Sequence, residues 1–312
     1  MMGKKLSQRK KLWILLILSL VVLNTTAFPK EKDNFKLGFS AELSGGLRYM
    51  NVGDLNTFLE SFDNYLTDYI RYYDGGKIGT INNYGYEFEG ELRLDINSKM
   101  SIGIGIGYLS RNNKSDFQTV SFFPEPPRFS LNDFILESEV KTIPLKAGIY
   151  LTLPVHPRAN LVLGGGLDYF FSDVYLLIDR RLENLGEVIL QSYRYNEYKV
   201  NSDFFGYHGS IGLEYNLWKN MFLVLEIQGK YAKSKNLKGS REYYYYWLDY
   251  GTDTGTLYIV NTGAINFGYG TDSPALIVSP TRPSSDDFGG TREFILDFSG
   301  VSVTLGIRLR LF

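Results

Sequence analysis

The sequence lacks cysteine altogether and contains only two histidines among its 312 residues. Without cysteine there is no disulfide framework, no thiolate metal site and no cysteine nucleophile, and two histidines leave little for a zinc or copper site. We therefore predict no metal and no cofactor. The chain also lacks an excess of charge of one sign, with 33 Lys+Arg against 34 Asp+Glu. Because phosphate backbones are bound by concentrated Lys and Arg, we expect no nucleic-acid partner.

Long apolar runs are absent beyond the amino terminus. There, basic residues from Lys4 to Lys11 precede an apolar run from Leu12 to Leu23, and small residues end at Ala27. About 12 apolar residues rise only about 18 Å as a helix, short of the roughly 30 Å hydrocarbon core of a bilayer. The pattern predicts a cleaved signal peptide over residues 1–27, with residues 28–312 forming one domain; a retained anchor is the alternative. Any other membrane role must use strands.

Period-two alternation of apolar and polar residues predicts strands along most of the chain. In the second of them, Tyr86 and Phe88 alternate with Glu87 and Glu89. The composition agrees with a folded chain, since 44% of residues are apolar and 24 Tyr and 21 Phe are present. The eight predicted strands cover residues 35–49, 86–97, 100–111, 138–155, 160–179, 204–217, 221–235 and 294–312.

The connections between these strands alternate between short and long. Short turns are predicted at 97–99, 156–158 and 218–220. The long connections are 51–83, 112–137, 180–203 and 236–293. This asymmetry predicts a transmembrane, antiparallel, up-and-down β-barrel of eight strands, with short periplasmic turns and long extracellular loops. The alternative is a soluble eight-stranded barrel of lipocalin type, whose apolar face would point inward.

The signal peptide, eight alternating strands, three short turns and a last strand ending at Phe312 resemble the small bacterial outer-membrane barrels of the outer-membrane protein A and W type. The resemblance implies an all-β barrel in the outer membrane of a Gram-negative bacterium, in contact with outer-membrane lipid and lipopolysaccharide. It also implies recognition of the last strand by the barrel-assembly machinery. The apolar residues from Val303 to Leu311 lie one position out of phase with Phe312, which departs from the terminal signal usual in that family.

If the apolar faces look at lipid, charged residues fill the lumen. An unpaired buried ion costs several kcal/mol, so these charges must form a salt-bridge network. An eight-stranded barrel has room for little more than its own side chains, so the network is predicted to plug the lumen; a narrow or gated conduit is the alternative. The predicted lumen residues are Glu42, Arg48, Glu87, Glu89, Glu91, Arg93, Asp95, Lys146, Asp168, Glu214, Glu226, Lys230, Arg308 and Arg310.

Strand pairing across the short turns predicts individual neighbours in this lumen. The first hairpin sets Arg93 opposite Gly103, Glu91 opposite Gly105 and Glu89 opposite Gly107. Glycine then makes room where long charged side chains cross. The other two hairpins place Lys146 near Asp168 and Glu226 near Gly212.

Candidate catalytic residues are scarce, and we do not expect an enzyme. His208 and Ser210 lie two apart on one face of a predicted strand, with Glu214 and Glu226 as possible carboxylate partners for the imidazole. This pair resembles the His-x-Ser arrangement of outer-membrane lipid A deacylases, which would make His208 the base and Ser210 the nucleophile. The predicted register points both inward, away from lipid. The other histidine, His156, lies in a proline-flanked turn.

The first and fourth long loops carry distinct patterns. Leu55, Phe58 and Leu59 begin a helical period of three and four residues after Asp54, a candidate cap, and the pattern continues to Tyr69. This helix is expected to pack on neighbouring loops, to cover the barrel mouth or to rest on the outer leaflet. In the fourth loop, the strands 243–247 and 256–260 flank a glycine-rich turn. They predict a hairpin beyond the membrane, or ten strands in all were it inserted.

Two functions follow as hypotheses of different classes. The first is a porin-like or structural barrel, with small solutes as the partners to be tested. The second is a surface adhesin or ligand-binding protein that contacts a host or surface ligand through loops one and four, where exposed aromatic residues suit recognition.

Overall fold

The computed structural model describes residues 37–69, 77–124, 127–185, 191–245, 249–261, 274–284 and 290–311. The predicted signal peptide, its cleavage site and Phe312 lie outside these residues. No helix among the described residues is long and apolar enough to cross a membrane.

Eight antiparallel strands close into one ring, because the last strand pairs with both the first and the seventh. The ring strands are β1 (Gly38–Met50), β2 (Tyr84–Asp95), β3 (Met100–Pro124), β4 (Pro127–His156), β5 (Ala159–Leu185), β6 (Gln191–Trp218), β7 (Met221–Ser234) and β13 (Gly300–Arg310). The predicted eight-stranded antiparallel barrel is therefore confirmed. Short connections at 96–99, 157–158 and 219–220 define one end, called here the turn end, and the opposite end is the loop end.

The outer wall of the ring is apolar. Leu43, Ile104 and Leu305 face outward, and the Leu43 side chain is 75% exposed. Exposed aromatic residues gather near the loop end: Tyr49, Tyr84, Tyr86, Tyr108, Phe171, Phe205, Tyr207 and Tyr231. Phe39, Tyr215 and Trp218 are exposed near the turn end. An apolar band between two aromatic girdles is what lipid requires, and it excludes the soluble barrel with an inward apolar face.

Two of the predicted long loops are in fact strand, and the prediction was wrong there. Residues 112–124 and 127–137 belong to β3 and β4, which pair as far as Pro124 and Pro127, and residues 180–185 and 191–203 belong to β5 and β6. The period-two alternation continues past the membrane band, with Phe134, Leu136 and Val140 buried on the inner face of β4. The outer face becomes polar there because it is in contact with water. This polarity is why the sequence predicts a loop where the strands continue.

Loop four adds further strands outside the ring. These are β8 (Lys238–Tyr245), β9 (Asp249–Asn261), β10 (Pro274–Ser279), β11 (Thr291–Glu293) and β12 (Leu296–Asp297). The predicted hairpin is β8 with β9, and β8 pairs with the loop end of β6 over 194–201, so the hairpin stands beyond the ring and the ten-strand alternative is wrong. Residues 251–255, predicted as its turn, are part of β9, since they pair with 239–243 of β8.

The predicted helix of loop one is α1 (Asp54–Tyr69), and it helps to close the loop end. Asp54 does not cap its own helix; its carboxylate accepts hydrogen bonds from Arg292 and from the Ile295 backbone N–H, which ties loop four to loop one. Buried apolar side chains from the helix, the ring and loop four pack together above the lumen. We call this group the apolar cap, formed by Met50, Leu55, Phe58, Leu59, Leu109, Phe170, Phe204, Ala232, Leu296 and Phe298.

Candidate functional site: the charged lumen

The structure brings twelve of the fourteen predicted lumen residues into the barrel interior. Eleven are buried residues, and the Glu89 side chain is only 8% exposed. The other two, Asp95 and Arg310, form an ion pair at 3.5 Å at the turn end, where the Arg310 side chain is 51% exposed. The placement of Arg310 inside a filled lumen is therefore corrected, because the strand has already reached the rim at that position.

Arg93 is the centre of the network in the half of the lumen nearer the turn end. Its guanidinium is bonded to Glu91, lies 3.4 Å from a Glu42 oxygen and 3.9 Å from a Glu226 oxygen. It also stacks over the Tyr150 ring at 3.6 Å from the centroid, and the Tyr150 hydroxyl donates to Glu91 at 2.6 Å. Planar guanidinium groups suit such combined ion pairing and stacking.

A second chain of ion pairs lies nearer the loop end. Lys230 bridges Glu87 at 2.5 Å and Glu89 at 2.6 Å, and Glu89 also pairs with Lys146 at 2.5 Å. Arg48 donates to Glu87 at 3.0 Å and to the Phe298 carbonyl at 2.6 Å. The second contact joins the charged network directly to the apolar cap.

A third group lies below Arg93, where Arg308 binds both Glu42 and Glu214. Glu214 therefore pairs with Arg308. The sequence had also made it a possible carboxylate partner of the His208 imidazole, and the structure does not place it there. With these contacts the three groups supply nearly every lumen charge with a counter-charge from another strand, which is what desolvated ions need.

The predicted cross-strand neighbours are confirmed. Arg93 faces Gly103, Glu91 faces Gly105 and Glu89 faces Gly107, while the other two hairpins set Lys146 opposite Asp168 and Gly212 opposite Glu226. A Cβ at Gly103 would lie 2.8 Å from a Glu91 oxygen, so glycine is needed where the charged side chain crosses. Facing positions do not fix ion pairs, however, because Lys146 reaches across to Glu89 instead of to Asp168.

His208 and Ser210 lie on the inner face of β6, as the register predicted. The His208 Nδ1 atom is 2.9 Å from an Asp168 oxygen, and neither side chain is exposed. The sequence did not predict this Asp168–His208 pair, because strand pairing sets Asp168 opposite Lys146. His156 is the exposed last residue of β4 at the turn end, where its Nδ1 accepts from the Arg158 backbone N–H at 3.3 Å.

Tyr150 and the apolar cap were also missed. An inward tyrosine on β4 could have been found from the alternation that places Lys146 and Gly148 on the same face. The contact of Phe298 with Phe170 and Phe204, at centroid distances of 6.0 and 5.3 Å, joins residues far apart in sequence. No local pattern predicts it.

The loop end carries a second surface of interest, a row of residues across four paired strands. Asp179, Tyr195, Tyr244 and Tyr250 are consecutive partners in this row on β5, β6, β8 and β9. The Tyr250 side chain is 73% exposed. Burial and a hydrogen bond to Glu197 raise the pKa of Tyr195, so its hydroxyl remains a donor in ordinary conditions.

A closed antiparallel ring, apolar outside and charged inside, is a transmembrane β-barrel. The family model for the outer membrane protein beta-barrel domain matches residues 15–272, and the chain belongs to that family. It is an integral protein of the bacterial outer membrane.

Solved structures with a similar fold include the outer membrane protein OprG from Pseudomonas aeruginosa, 9% identical over 88% of this chain and 94% of that one, with a TM-score of 0.35. Another is the outer membrane protease OmpT from Escherichia coli, 11% identical over 90% of this chain and 100% of that one, with a TM-score of 0.27. At these TM-scores neither likeness bears on activity. No curated protein matches the chain in sequence.

Proposed function

We propose that this protein is a structural outer-membrane barrel with a plugged lumen that does not conduct in its resting state. The observation that carries the proposal is the ion-pair network that crosses the interior in three groups, from Arg308 at the turn end to Arg48 under the apolar cap. Paired charges fill the space that a porin would leave to water. The apolar cap adds a second seal at the loop end.

The test is single-channel conductance of the refolded mature chain in a planar bilayer, with a heat-modifiable gel shift to confirm a folded barrel. We expect a folded barrel without steady openings. Steady openings that change when Arg93 or Glu91 is neutralised would overturn the proposal and support the porin-like alternative, in which small solutes pass through the charged lumen.

The proposal includes the absence of catalytic activity. The arrangement that supports this is the inward orientation of His208 and Ser210, whose strand faces the lumen at these positions and lipid at the positions between them. Lipid A isolated from cells that express the protein should keep its mass. A lighter, deacylated lipid A that returns to normal with Ser210→Ala would support the hydrolase instead.

The proposed partners are outer-membrane lipid and lipopolysaccharide around the wall, and the barrel-assembly machinery during insertion. Loss of surface assembly on deletion of the last strand, with export intact, would support the second of these. Retention of normal assembly without that strand would contradict it.

Recognition of a surface ligand is a second candidate function, favoured by the tyrosine row of β6, β8 and β9 at the loop end. Tyrosine offers a large contact area with a polar tip, which suits binding surfaces. Deletion of residues 240–262 should abolish attachment of the expressing cell to its ligand, while the heat-modifiable shift of the barrel is kept. Unchanged attachment would remove this candidate.

A further inference from the structure

A group of polar side chains just beneath the apolar cap is left incomplete by the ion-pair network. Four buried atoms in this group accept or donate no hydrogen bond among the described residues: His208 Nε2, Ser210 Oγ, Gln228 Oε1 and Ser302 Oγ. None of these four atoms takes part in the Arg93 or Lys230 groups of ion pairs, although the Gln228 Nε2 atom donates to Glu226 at 3.4 Å. They are therefore not explained by the plugging of the lumen.

Strand pairing gathers these atoms in one place. Ser210 on β6 faces Gln228 on β7, and Gln228 faces Ser302 on β13, so three of the side chains form one inward row across three strands. His208 lies two residues from Ser210 on the same face of β6. Unpaired polar atoms that are scattered over a structure can be accidents, but three in one row across adjacent strands, with a fourth two residues away on the same face, point to a shared partner.

His208 is also oriented toward this row by its other nitrogen. The Asp168 carboxylate accepts from Nδ1 at 2.9 Å, and both side chains are fully buried. Because Nδ1 is held in this way, Nε2 is the nitrogen that remains for a further partner. A carboxylate that fixes one imidazole nitrogen while the other faces a ligand is a recurring arrangement in proteins.

A glycine of β4 borders this group. A Cβ built at Gly148 would lie 3.3 Å from His208 Nε2 and 3.2 Å from the Tyr150 hydroxyl, so these two polar atoms line the space that the glycine leaves. A water molecule needs a polar site, room for about one probe sphere and two to four partners. Imidazole, hydroxyl and amide groups supply the donors and acceptors that a bound water molecule uses.

We propose that His208, Ser210, Gln228 and Ser302 form an internal water-binding site in the upper lumen. Bound water bridges His208 Nε2 to Ser210 Oγ and continues along the row to Gln228 and Ser302. The site lies beside the ion pairs nearer the loop end, since Ser302 faces Arg48 and His208 faces Lys230 across neighbouring strands. It makes His208 a hydrated residue although its side chain has no exposed surface.

The test is water-edited solid-state NMR of the full, lipid-reconstituted barrel, which measures how fast magnetisation passes from water to each side chain. Two residues of the chain serve as references for the transfer rate: His156 is exposed at the turn end, and Phe298 is a fully buried residue of the cap. With only two histidines, the His156→Gln variant assigns both signals. We expect transfer to His208 to be about threefold faster or more than transfer to Phe298, as bound water requires.

A double variant, Ser210→Ala with Gln228→Leu, should slow the transfer to His208 to about the rate of Phe298 by removing two partners of the water. Ser202→Ala is the matched control, since Ser202 is a buried serine of the same strand whose hydroxyl is bonded to Ser234 at 2.5 Å. It should leave the transfer unchanged. If the double variant does not fold, the test rests on the wild type alone, in which the transfer rate of His208 is compared with that of Phe298.

Two results would overturn the proposal. Transfer to His208 as slow as transfer to Phe298 in the wild type would mean a dry site. Fast transfer that survives the folded double variant would mean that the water lies elsewhere in the lumen.

Discussion

At the scale of single residues, burial decides how much each charge matters. Arg93 and Arg310 both belong to the interior-facing pattern, yet Arg93 is 2% exposed and contacts three carboxylates, while the Arg310 side chain is half exposed and has one. Removal of one partner from a buried network leaves an uncompensated charge, whereas an exposed pair is screened by water.

We therefore predict that Arg93→Met lowers the free energy of unfolding by about 3–5 kcal/mol, because Glu91 loses its main counter-charge. Arg310→Met, the matched control, should cost about 0–1 kcal/mol. Urea unfolding in lipid vesicles, followed by tryptophan fluorescence, measures both. Adding Glu91→Gln to Arg93→Met should restore part of the loss. Equal effects of the two arginine variants would show that the lumen is solvated and not desolvated.

A pH effect is predicted for Glu197 at the loop end. Burial raises the pKa of this carboxyl, but hydrogen bonds from Lys199 and Tyr195 outweigh burial and leave the pKa below its ordinary value. A lowered folded pKa means that the stabilisation is present above the unfolded pKa of about 4.3 and is lost as the pH falls through the folded value.

The contribution of Glu197 should stay below about 1 kcal/mol, because Lys199 is largely exposed and water screens the pair. An NMR titration of the Glu197 side-chain carbon gives the folded pKa, and Glu197→Gln should remove the corresponding part of the acid destabilisation of the loop-end sheet. A midpoint above the ordinary glutamate value would contradict the prediction.

At the scale of elements, the extension of strands beyond the membrane depends on close docking. Gly239 of β8 lies against the backbone of Lys199 and Val200 in β6, and a Cβ there would collide with the Lys199 carbonyl. Gly229 of β7 faces lipid, with nothing within 4 Å of a Cβ. The two glycines offer the same substitution in opposite surroundings.

Gly239→Val should separate the β8–β9 hairpin from β6 while the ring remains closed, since the collision is with backbone that cannot move aside. Limited proteolysis of the refolded variant should cut this hairpin, and the heat-modifiable shift should persist. Gly229→Val should resist the protease like the wild type. A hairpin equally resistant in both variants would mean that β8 does not depend on this contact.

At the scale of the whole molecule, the alternation of short and long connections implies an orientation. Short turns belong on the periplasmic side of an outer-membrane barrel and long structures outside. Because the chain has no cysteine, single cysteines report their side without background. Lys114 is exposed at the loop end and Lys219 in a turn at the other end.

Cysteine placed at Lys114 should react with a membrane-impermeant maleimide on intact cells, while cysteine at Lys219 should react only after the outer membrane is permeabilised. The measurement is gel detection of the labelled protein in both conditions. Labelling of the Lys219 position on intact cells would reverse the predicted orientation.

The barrel itself could be predicted because membrane and lumen impose opposite demands on alternate residues. Along β2, Tyr86 and Phe88 must face lipid while Glu87 and Glu89 face the interior, so the sequence alternates with period two. This alternation indicates which segments are strands, which face is in contact with lipid and which register the strands adopt. The short turns then fix neighbouring strands, which is why Arg93 was placed opposite Gly103.

The sequence by itself determined the alternating strands, the outer wall and the identity of the charges inside it, since each depends only on near neighbours in the chain or across a short turn. Tertiary structure decided which charges pair, that Asp168 holds His208 and that Phe298 closes the mouth. Long side chains reach across the lumen to several candidates, and loop four returns over more than sixty residues of chain. Such choices are settled by packing in space, which a local pattern does not record.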